Sequence, residues 1–219
     1  INNSDACIPK YTRKKDKNNQ KLFIMFLIHS HRNNYLRRKA MRDTWLSLRQ
    51  IYLNDLIDDF EDQNNDLYFN KDINFEFSHL FIIGNENSSK NFNNENSREK
   101  SFIEIESETF NDLILIDTIE SYKNLLYKHL AVVNWVVENC MKPKITTRYI
   151  IKLDDDVFVN IKQLTKHLYF KFGLNFALYN KFLYCNINYF ARPIRKNSSK
   201  WFVDYETYPF DSYPRYCEG

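Results

Sequence analysis

Short apolar runs alternate with longer amphipathic stretches along most of the chain. The runs are Leu22–Ile28 (LFIMFLI), His79–Gly84 (HLFIIG), Leu113–Asp117 (LILID) and Tyr149–Leu153 (YIIKL). A continuous apolar run is typical of a strand that is covered on both faces. Because stretches with helical spacing separate the runs, the pattern predicts an α/β fold with a mostly parallel sheet and helices on both faces.

Helices are predicted from the spacing of apolar residues and from capping residues. The first follows Asn34, a candidate N-cap, and a short one is expected around residues 98–108. The longest helix opens at Ser121, and Asn160 is the candidate N-cap of a fourth. In the longest helix we expect Trp135 to face the core, together with a stripe formed by Leu125, Leu126, Leu130, Val133, Val137 and Cys140.

The remaining segments are expected to be peripheral. Residues 1–21 are polar and basic and indicate a flexible lead-in, and the acidic, Asn-rich residues 50–77 indicate a loop insertion. Partly exposed strands are expected at Leu183–Tyr189 and Trp201–Tyr205. The sequence offers no clean boundary within residues 22–219.

Composition narrows the classes of partner and compartment. The 219 residues carry a formal net charge of +3, which gives no reason to expect a nucleic-acid partner. The four cysteines form no CxxC pair, so a zinc site is not expected, and they allow either two disulfides or four free thiols. Together with Asn-x-Ser sequons at Asn2, Asn87 and Asn197, the even cysteine count favours a secretory compartment. No apolar run reaches the ~18 residues that a membrane span needs.

Three aspartates, Asp154, Asp155 and Asp156, close the fourth predicted strand. In open parallel sheets, ligands bind at the carboxyl ends of the strands. Adjacent carboxylates repel one another, and a hard divalent cation such as Mg²⁺ or Mn²⁺ relieves that repulsion while keeping water and phosphate oxygens in its shell. The pattern therefore indicates either a site for a metal–diphosphate unit or a solvated acidic turn.

Two arginines, Arg38 and Arg42, lie four residues apart on the first predicted helix and so share one face. That helix begins near the same edge of the sheet as the aspartates, where arginines can pair with phosphate oxygens. The alternative is a solvated basic face that includes Lys39.

An ordered series of motifs resembles the β-1,3-glycosyltransferases, a family that includes β-1,3-galactosyltransferases, β-1,3-N-acetylglucosaminyltransferases and, more distantly, fringe. RKAMRDTW (Arg38–Trp45) is similar to the R-x-x-x-R-x-T-W signature of that family. Further matches follow in order: FIIG (81–84), ES-x4-D-L-I (106–114), SY-x-NL-x2-K (121–128), K-x-DDDVFVN (152–160), P-x-R-x4-KW (193–201) and YP-x-Y-x2-G (213–219). Their common order makes the resemblance specific, although each motif alone is weak.

The resemblance implies a GT-A-like, Rossmann-like fold, a UDP-sugar donor, a Mn²⁺ cofactor and a glycan acceptor. Carried over by position, Asp155 would contact the nucleotide-sugar, and Asp156 would ligate the metal with support from Asp154. Arg38 and Arg42 would line the nucleotide site. The family transfers galactose or an N-acetylhexosamine with inversion, which gives a β-1,3 linkage. Its members are type II Golgi proteins with a lumenal catalytic domain, so we expect membrane attachment only through an N-terminal anchor that is absent from this chain.

The resemblance also places the catalytic base beyond Gly219. We therefore expect residues 22–219 to be the donor-binding half of a catalytic domain, incomplete at its C-terminus, with little or no transfer activity alone. One alternative is a non-catalytic nucleotide- or carbohydrate-binding protein with the same fold. Another is a metal-dependent phosphohydrolase, which the surrounding motifs argue against. We leave His29 outside the site as a satisfied polar group and Lys128 as a solvated charge.

Overall fold

The computed structural model describes residues 20–48, 50–52, 73–85, 101–121, 124–140, 147–172 and 183–218. The chain divides into two compact units, Ile1–Phe170 and Lys171–Gly219. The first unit contains the main sheet and its helices, and the second contains a small two-stranded sheet.

A five-stranded, mostly parallel sheet organises the first unit. Its strands are β1 (Gln20–His29), β2 (Gln50–Tyr52), β3 (Ile73–Asn85), β4 (Leu113–Ile119) and β5 (Thr147–Asp154). β1 pairs in parallel with both β3 and β5, and β3 pairs in parallel with β4. The short β2 is antiparallel to β3. The predicted α/β class, with a mostly parallel sheet, is confirmed.

Within these described ranges, four α-helices accompany the sheet: α1 (Tyr35–Asp43), α2 (Phe102–Phe110), α3 (Leu125–Cys140) and α4 (Ile161–Phe172). Local capping explains two of their ends. Ser101 and Glu104 form a capping box at the start of α2. At the start of α4, the Asn160 side chain accepts the backbone N–H of Gln163, as its sequence pattern predicts.

The side chains of β1 alternate between two cores, because successive residues of a strand point to opposite faces. On one face, α3 contributes to a core of Phe23, Met25, Leu27, Leu80, Ile82, Ile114, Ile116, Val132, Val136 and Cys140. On the other face, the Phe26 ring packs edge-on against Trp45, which follows α1, and stacks on Phe77. α3 therefore packs on one face of the sheet, and the segment that follows α1 packs on the other.

The predicted core stripe of the longest helix is wrong for most of its residues. Leu126, Leu130, Val133 and Val137 are 63%, 50%, 44% and 53% exposed, and Leu125 is exposed as well. The buried face of α3 is formed by Lys128, Val132, Val136 and Cys140, of which only Cys140 belongs to the predicted stripe. The partly buried Trp135 packs against this core, as expected. This helix carries apolar residues on more than one face, so spacing alone selects the wrong one.

Three further expectations need correction. Residues 50–52 and 73–77, which were expected in a loop insertion, belong to β2 and β3, and residues 53–72 lie outside the described part of the chain. Residues 20–21 belong to β1, whereas the rest of the predicted lead-in is not described. Residues 201–205 form turns with an isolated bridge between Ile194 and Phe202 in place of the predicted strand.

The second unit is held together by a short sheet and a disulfide. β6 (Asn186–Asn188) pairs antiparallel with β7 (Tyr216–Glu218), and Cys185 and Cys217 form a disulfide beside this pairing. Among the cysteines that the structure describes, none is a free thiol. The sequence left the disulfide connectivity open, and the structure pairs Cys185 with Cys217.

Arg195 organises the loop that precedes β7. Its guanidinium donates hydrogen bonds to the backbone oxygens of Val203, Asp204, Tyr208 and Phe210 at 2.7–2.8 Å. It also lies 3.9 Å from the centroid of the Tyr205 ring. A single guanidinium therefore fixes the backbone of this loop, a role that an apolar core has in larger domains.

Candidate functional site

The candidate site lies at the carboxyl ends of β1 and β5, where two loops begin side by side. His29, the last residue of β1, pairs in register with Asp154, the last residue of β5. Ser30 follows one strand and Asp155 the other, and α1 starts only a few residues later, at Tyr35. Ligands of parallel sheets bind at this edge, so the placement of the aspartates agrees with the expectation from sequence.

Asp155 is the buried, hydrogen-bonded member of the acidic triplet formed by Asp154, Asp155 and Asp156. Its Oδ2 atom accepts hydrogen bonds from the Ser30 hydroxyl at 2.6 Å and from the Asn34 side-chain amide at 2.8 Å. Its Oδ1 atom accepts one from Arg37 Nη1 at 3.1 Å. Asn34 occupies the N-cap position of α1, as predicted, but makes no side-chain cap bond and donates to Asp155. Both carboxylate oxygens are therefore held in place by the loop after β1 and the first turn of α1.

The contacts of Asp155 keep it negatively charged. Burial works to raise the pKa of this carboxyl, since only 8% of the residue is exposed. The hydrogen bonds from Ser30, Asn34 and Arg37 outweigh that effect and hold the pKa below its usual value. A buried, fixed anion at the edge of the sheet is suited to accept hydrogen bonds from a polar ligand.

Asp154 and Asp156 differ from Asp155 because their carboxylates are largely exposed. The Asp156 side chain is 66% exposed and lies 3.7 Å from Arg37, and the Asp154 side chain is 57% exposed and lies 3.7 Å from Lys152. Among the residues that the structure describes, no group of three His, Cys, Asp or Glu side chains could hold a metal ion. The assignment of Asp156 and Asp154 to a metal stays a prediction, and the protein would supply only one or two carboxylates.

Arg38 makes all its contacts inside the protein. The residue is 0% exposed, and its guanidinium forms a bidentate pair with Glu106 on α2, at 2.6 and 2.8 Å. Its remaining N–H groups donate to the Ser30 hydroxyl and to the backbone oxygens of His31 and Arg32. All five N–H donors of the Arg38 guanidinium therefore have acceptors inside the protein. The predicted nucleotide contact of Arg38 stays a prediction, and the observed contacts give it a role in orienting Ser30.

Arg42 is bound to the start of β4 and the end of α2. It forms a bidentate pair with Asp112, each bond 2.8 Å long, and an ion pair with Glu106. Its guanidinium lies over the rings of Phe81 and Phe110, at 4.8 and 4.0 Å from their centroids. These contacts fix α1 on the sheet, and a nucleotide contact of Arg42 is likewise a prediction.

The carboxyl of Asp112 is strongly perturbed by this network. Burial raises its pKa, but hydrogen bonds from His79 and Arg42 outweigh burial and bring the pKa down to about 2. Arg42 responds in the complementary direction: burial works to lower its pKa, and the bonds to Asp112 and Glu106 raise it above the ordinary value. The pair therefore stays charged over the whole physiological range.

The interpretation of Lys128 as a solvated charge is wrong. The residue is 4% exposed, and its ammonium donates to the backbone oxygen of Ser30 at 2.8 Å and to both carboxylate oxygens of Glu120. Glu120 in turn accepts the backbone N–H of Gly84 at 2.7 Å. A side chain at position 84 would place its Cβ 2.7 Å from the Thr118 oxygen, so glycine is required there. Lys128 thus connects α3 to the end of β1.

The interpretation of His29 as a satisfied polar group is also wrong. The residue is 6% exposed, and neither ring nitrogen has a hydrogen-bond partner among the described residues. Its ring centroid lies 5.7 Å from that of His129. Burial, followed by the positive charges of Lys128 and Lys152, lowers the pKa of His29 to about 4. His29 is therefore a neutral, buried group directly behind the site.

Ser30, Asn34 and Arg37 are site residues that reasoning from sequence missed. Ser30 could have been found, because it follows the end of a strand as the aspartates do. Arg37 directly precedes Arg38, the first residue of the recognised motif. Because it lies outside the motif, the sequence offered no reason to choose it for the site. The structure separates them clearly, since the Arg37 side chain is 53% exposed and that of Arg38 is buried.

Comparison with known proteins agrees with the motifs. A family model described as Galactosyltransferase matches residues 36–219. Beta-1,3-galactosyltransferase 1 of Mus musculus is 30% identical over 197 residues, which cover 90% of this chain and 49% of the relative. Lactosylceramide 1,3-N-acetyl-beta-D-glucosaminyltransferase of Rattus norvegicus is 26% identical over 200 residues, which cover 91% and 45%.

A third relative, Beta-1,3-galactosyltransferase 5 of Pan paniscus, is 27% identical over 219 residues, which cover 95% of this chain and 60% of the relative. The chain therefore spans about half the length of the curated relatives it matches. The resemblance to β-1,3-glycosyltransferases that the motifs indicated is confirmed.

Proposed function

Because the chain belongs to the galactosyltransferase family, we propose that it is the donor-binding part of an inverting hexosyltransferase that uses a UDP-sugar and forms a β-1,3 linkage. The observation that carries the proposal is the fixed carboxylate of Asp155, held by Ser30, Asn34 and Arg37 where β1 and β5 end. A parallel sheet presents its ligand site at this edge. Family membership supports the proposed reaction class, and the contacts of Asp155 support the proposed position of the donor.

In this proposal the three aspartates have different roles. Asp155, which is buried and hydrogen-bonded on both oxygens, accepts a hydrogen bond from a hydroxyl or amide of the nucleotide-sugar. Asp156, with Asp154 in support, provides oxygen ligands for Mn²⁺ or Mg²⁺. Their donor chemistry fits such an ion, because both side chains are more than half exposed and, within the described part of the chain, their contacts are ion pairs of 3.7 Å. When bound, a divalent cation would neutralise charge that develops on the departing diphosphate.

The chain's own residues position the donor and keep the aspartates in place. Ser30 orients Asp155 and is itself fixed by Arg38 through its hydroxyl and by Lys128 through its backbone oxygen. In the inverting displacement, the acceptor hydroxyl attacks the anomeric carbon as the bond to UDP breaks, and a base takes the hydroxyl proton. We assign that base to none of the described carboxylates.

The donor sugar and the acceptor are proposed only as classes. The names of the relatives include both galactosyltransferases and an N-acetylglucosaminyltransferase. We therefore propose galactose or an N-acetylhexosamine as the transferred sugar and a glycan on a protein or lipid as the acceptor. Binding isotherms with UDP-galactose and UDP-N-acetylglucosamine would distinguish the two donors.

We place the protein in the lumen of the secretory pathway, in agreement with the Golgi location of the family it resembles. The disulfide between Cys185 and Cys217 is expected in an oxidising compartment. Asn197, in one of the three sequons, is exposed and accessible to glycosylation. None of the helices in the described ranges combines the length and the hydrophobicity that a membrane span requires.

Calorimetric titration of the chain with UDP, with and without Mn²⁺, tests the proposal. We expect Mn²⁺-dependent binding that Asp155→Asn and Asp156→Ala each weaken by about tenfold or more, because each removes a charge that the ligand contacts. Asp43→Ala is the matched control, since it removes an exposed aspartate on α1 outside the site. Equal affinity of all four proteins for UDP, or no affinity in the wild type, would contradict the proposal.

A further inference from the structure

Arg37 is the accessible guanidinium at the acidic triplet. α1 carries three arginines, but Arg38 is fully buried against Glu106 and Arg42 is bound to Asp112. The Arg37 side chain is 53% exposed. Within the described part of the chain, its polar contacts are those of Nη1 with Asp155 and Asp156. Most N–H donors of the Arg37 guanidinium are therefore available to a ligand.

The two carboxylates hold Arg37 unequally. The contact with Asp155 is a 3.1 Å charge-assisted hydrogen bond to a side chain that is 7% exposed. The contact with Asp156 is a 3.7 Å ion pair between two exposed side chains, a type of interaction that contributes little and exchanges readily. Arg37 can thus release Asp156 while it keeps Asp155.

We propose that Arg37 positions Asp155 and serves as the resident counter-ion of Asp156, which it exchanges for the diphosphate of the incoming nucleotide. This inference rests on the proposed function, because it requires a diphosphate and a divalent cation at the triplet. An arginine fork matches two phosphate oxygens at once, whereas a lysine ammonium presents a single point of charge. Arg37 then neutralises Asp156 when the site is empty and the phosphates when it is filled.

This double role predicts opposite effects on two ligands. Without nucleotide, the positive charge of Arg37 beside Asp156 disfavours a cation at that carboxylate. With nucleotide, the same charge favours the diphosphate. A residue that only stabilises the fold would change both affinities in the same direction, or neither.

The test compares wild type, Arg37→Gln and Arg37→Lys by two titrations. Mn²⁺ alone is followed by electron paramagnetic resonance of the free ion, and UDP at saturating Mn²⁺ by calorimetry. We expect Arg37→Gln to bind Mn²⁺ alone severalfold more tightly and UDP about tenfold more weakly. Arg37→Lys should return Mn²⁺ binding to the wild-type level and restore UDP binding only in part.

Lys39→Gln is the matched control, because it removes the same charge from an exposed residue of α1 that pairs with Asp43. It should leave both affinities at the wild-type value. Parallel changes of the two affinities in Arg37→Gln, or no change in either, would overturn the role of Arg37. A wild-type chain that binds Mn²⁺ but not UDP would contradict the proposed function. In that case, the Mn²⁺ affinities of wild type and Arg37→Gln alone would test whether Arg37 is the counter-ion of Asp156.

Discussion

The ammonium of Lys128 donates a 2.8 Å hydrogen bond to the backbone oxygen of Ser30, the residue whose hydroxyl holds Asp155. This bond links α3, on one face of the sheet, to the loop that orients the anionic group of the site. The positive charge is balanced by Glu120, whose two oxygens lie 2.9 and 3.0 Å from the ammonium. The candidate site is therefore supported from both faces of the sheet.

Replacing Lys128 by methionine should destabilise the fold and weaken UDP binding together. The change leaves the carboxylate of Glu120, which is 14% exposed, without its counter-ion, and we expect a loss of about 3 kcal/mol in the free energy of unfolding. Urea denaturation followed by circular dichroism measures it. Lys128→Met/Glu120→Gln should recover part of the loss, and Lys162→Met, on an exposed residue, should have little effect. Equal midpoints for the two lysine variants would refute the buried pairing.

The neighbouring residues Val132 and Val133 offer a matched test of how α3 is oriented. Val132 is 2% exposed and Val133 is 44% exposed. We expect Val132→Ala to cost about 2 kcal/mol through lost packing. Val133→Ala should change stability by less than about 0.5 kcal/mol, since it creates no cavity. Thermal unfolding decides the point, and a larger loss at Val133 would restore the orientation that spacing predicted.

His29 should make the protein less stable at mildly acidic pH. Its pKa is lowered from 6.5 to about 4 by folding, so the unfolded chain binds the proton more readily. The contribution of His29 to the free energy of unfolding is fully present above pH 6.5. It decreases by up to about 3 kcal/mol as the pH falls towards 4. Denaturant midpoints between pH 7.5 and 4 measure this slope.

Removing the titrating group tests the assignment. His29→Asn should flatten the slope between pH 6.5 and 4, whereas His31→Asn, at an exposed position, should leave it unchanged. Asp112 acts in a lower range: its pKa of about 2 contributes stability that is present above pH 3.8 and lost as the pH falls towards 2. Parallel curves for wild type and His29→Asn between pH 6.5 and 4 would refute the role of His29.

Arg195→Lys should loosen the second unit despite keeping the charge. The four backbone oxygens that Arg195 binds lie between Val203 and Phe210, and a lysine has too few donors in the wrong geometry to reach them all. We expect faster amide hydrogen exchange in residues 194–210 and earlier proteolytic cleavage there. Arg192→Lys, at an exposed neighbouring position, should match wild type. Unchanged amide hydrogen exchange in Arg195→Lys would show that the conformation of the loop does not depend on the Arg195 guanidinium.

Reasoning from sequence predicted the edge of the sheet where the candidate site lies but did not identify the contacts within it. The aspartates lie at the predicted edge because strand order places Asp154 at the end of β5, next to β1. Arg38 and Arg42 were recognised from their motif, yet both are bound to acidic side chains, at Glu106 and Asp112. A pattern along one helix cannot show which distant carboxylate will compete for a guanidinium.

The amino-acid sequence by itself determined the fold class, the family and the edge of the sheet where the candidate site lies, because apolar runs, helical spacing and ordered motifs are local features of the chain. Only the tertiary structure decided which face of α3 is buried and that Arg37, one position from the motif arginine, is the exposed one. It also decided that Lys128 and His29 lie buried behind the site. These outcomes depend on packing between elements that are distant in sequence, where burial and pairing set the charge and the accessibility of each group.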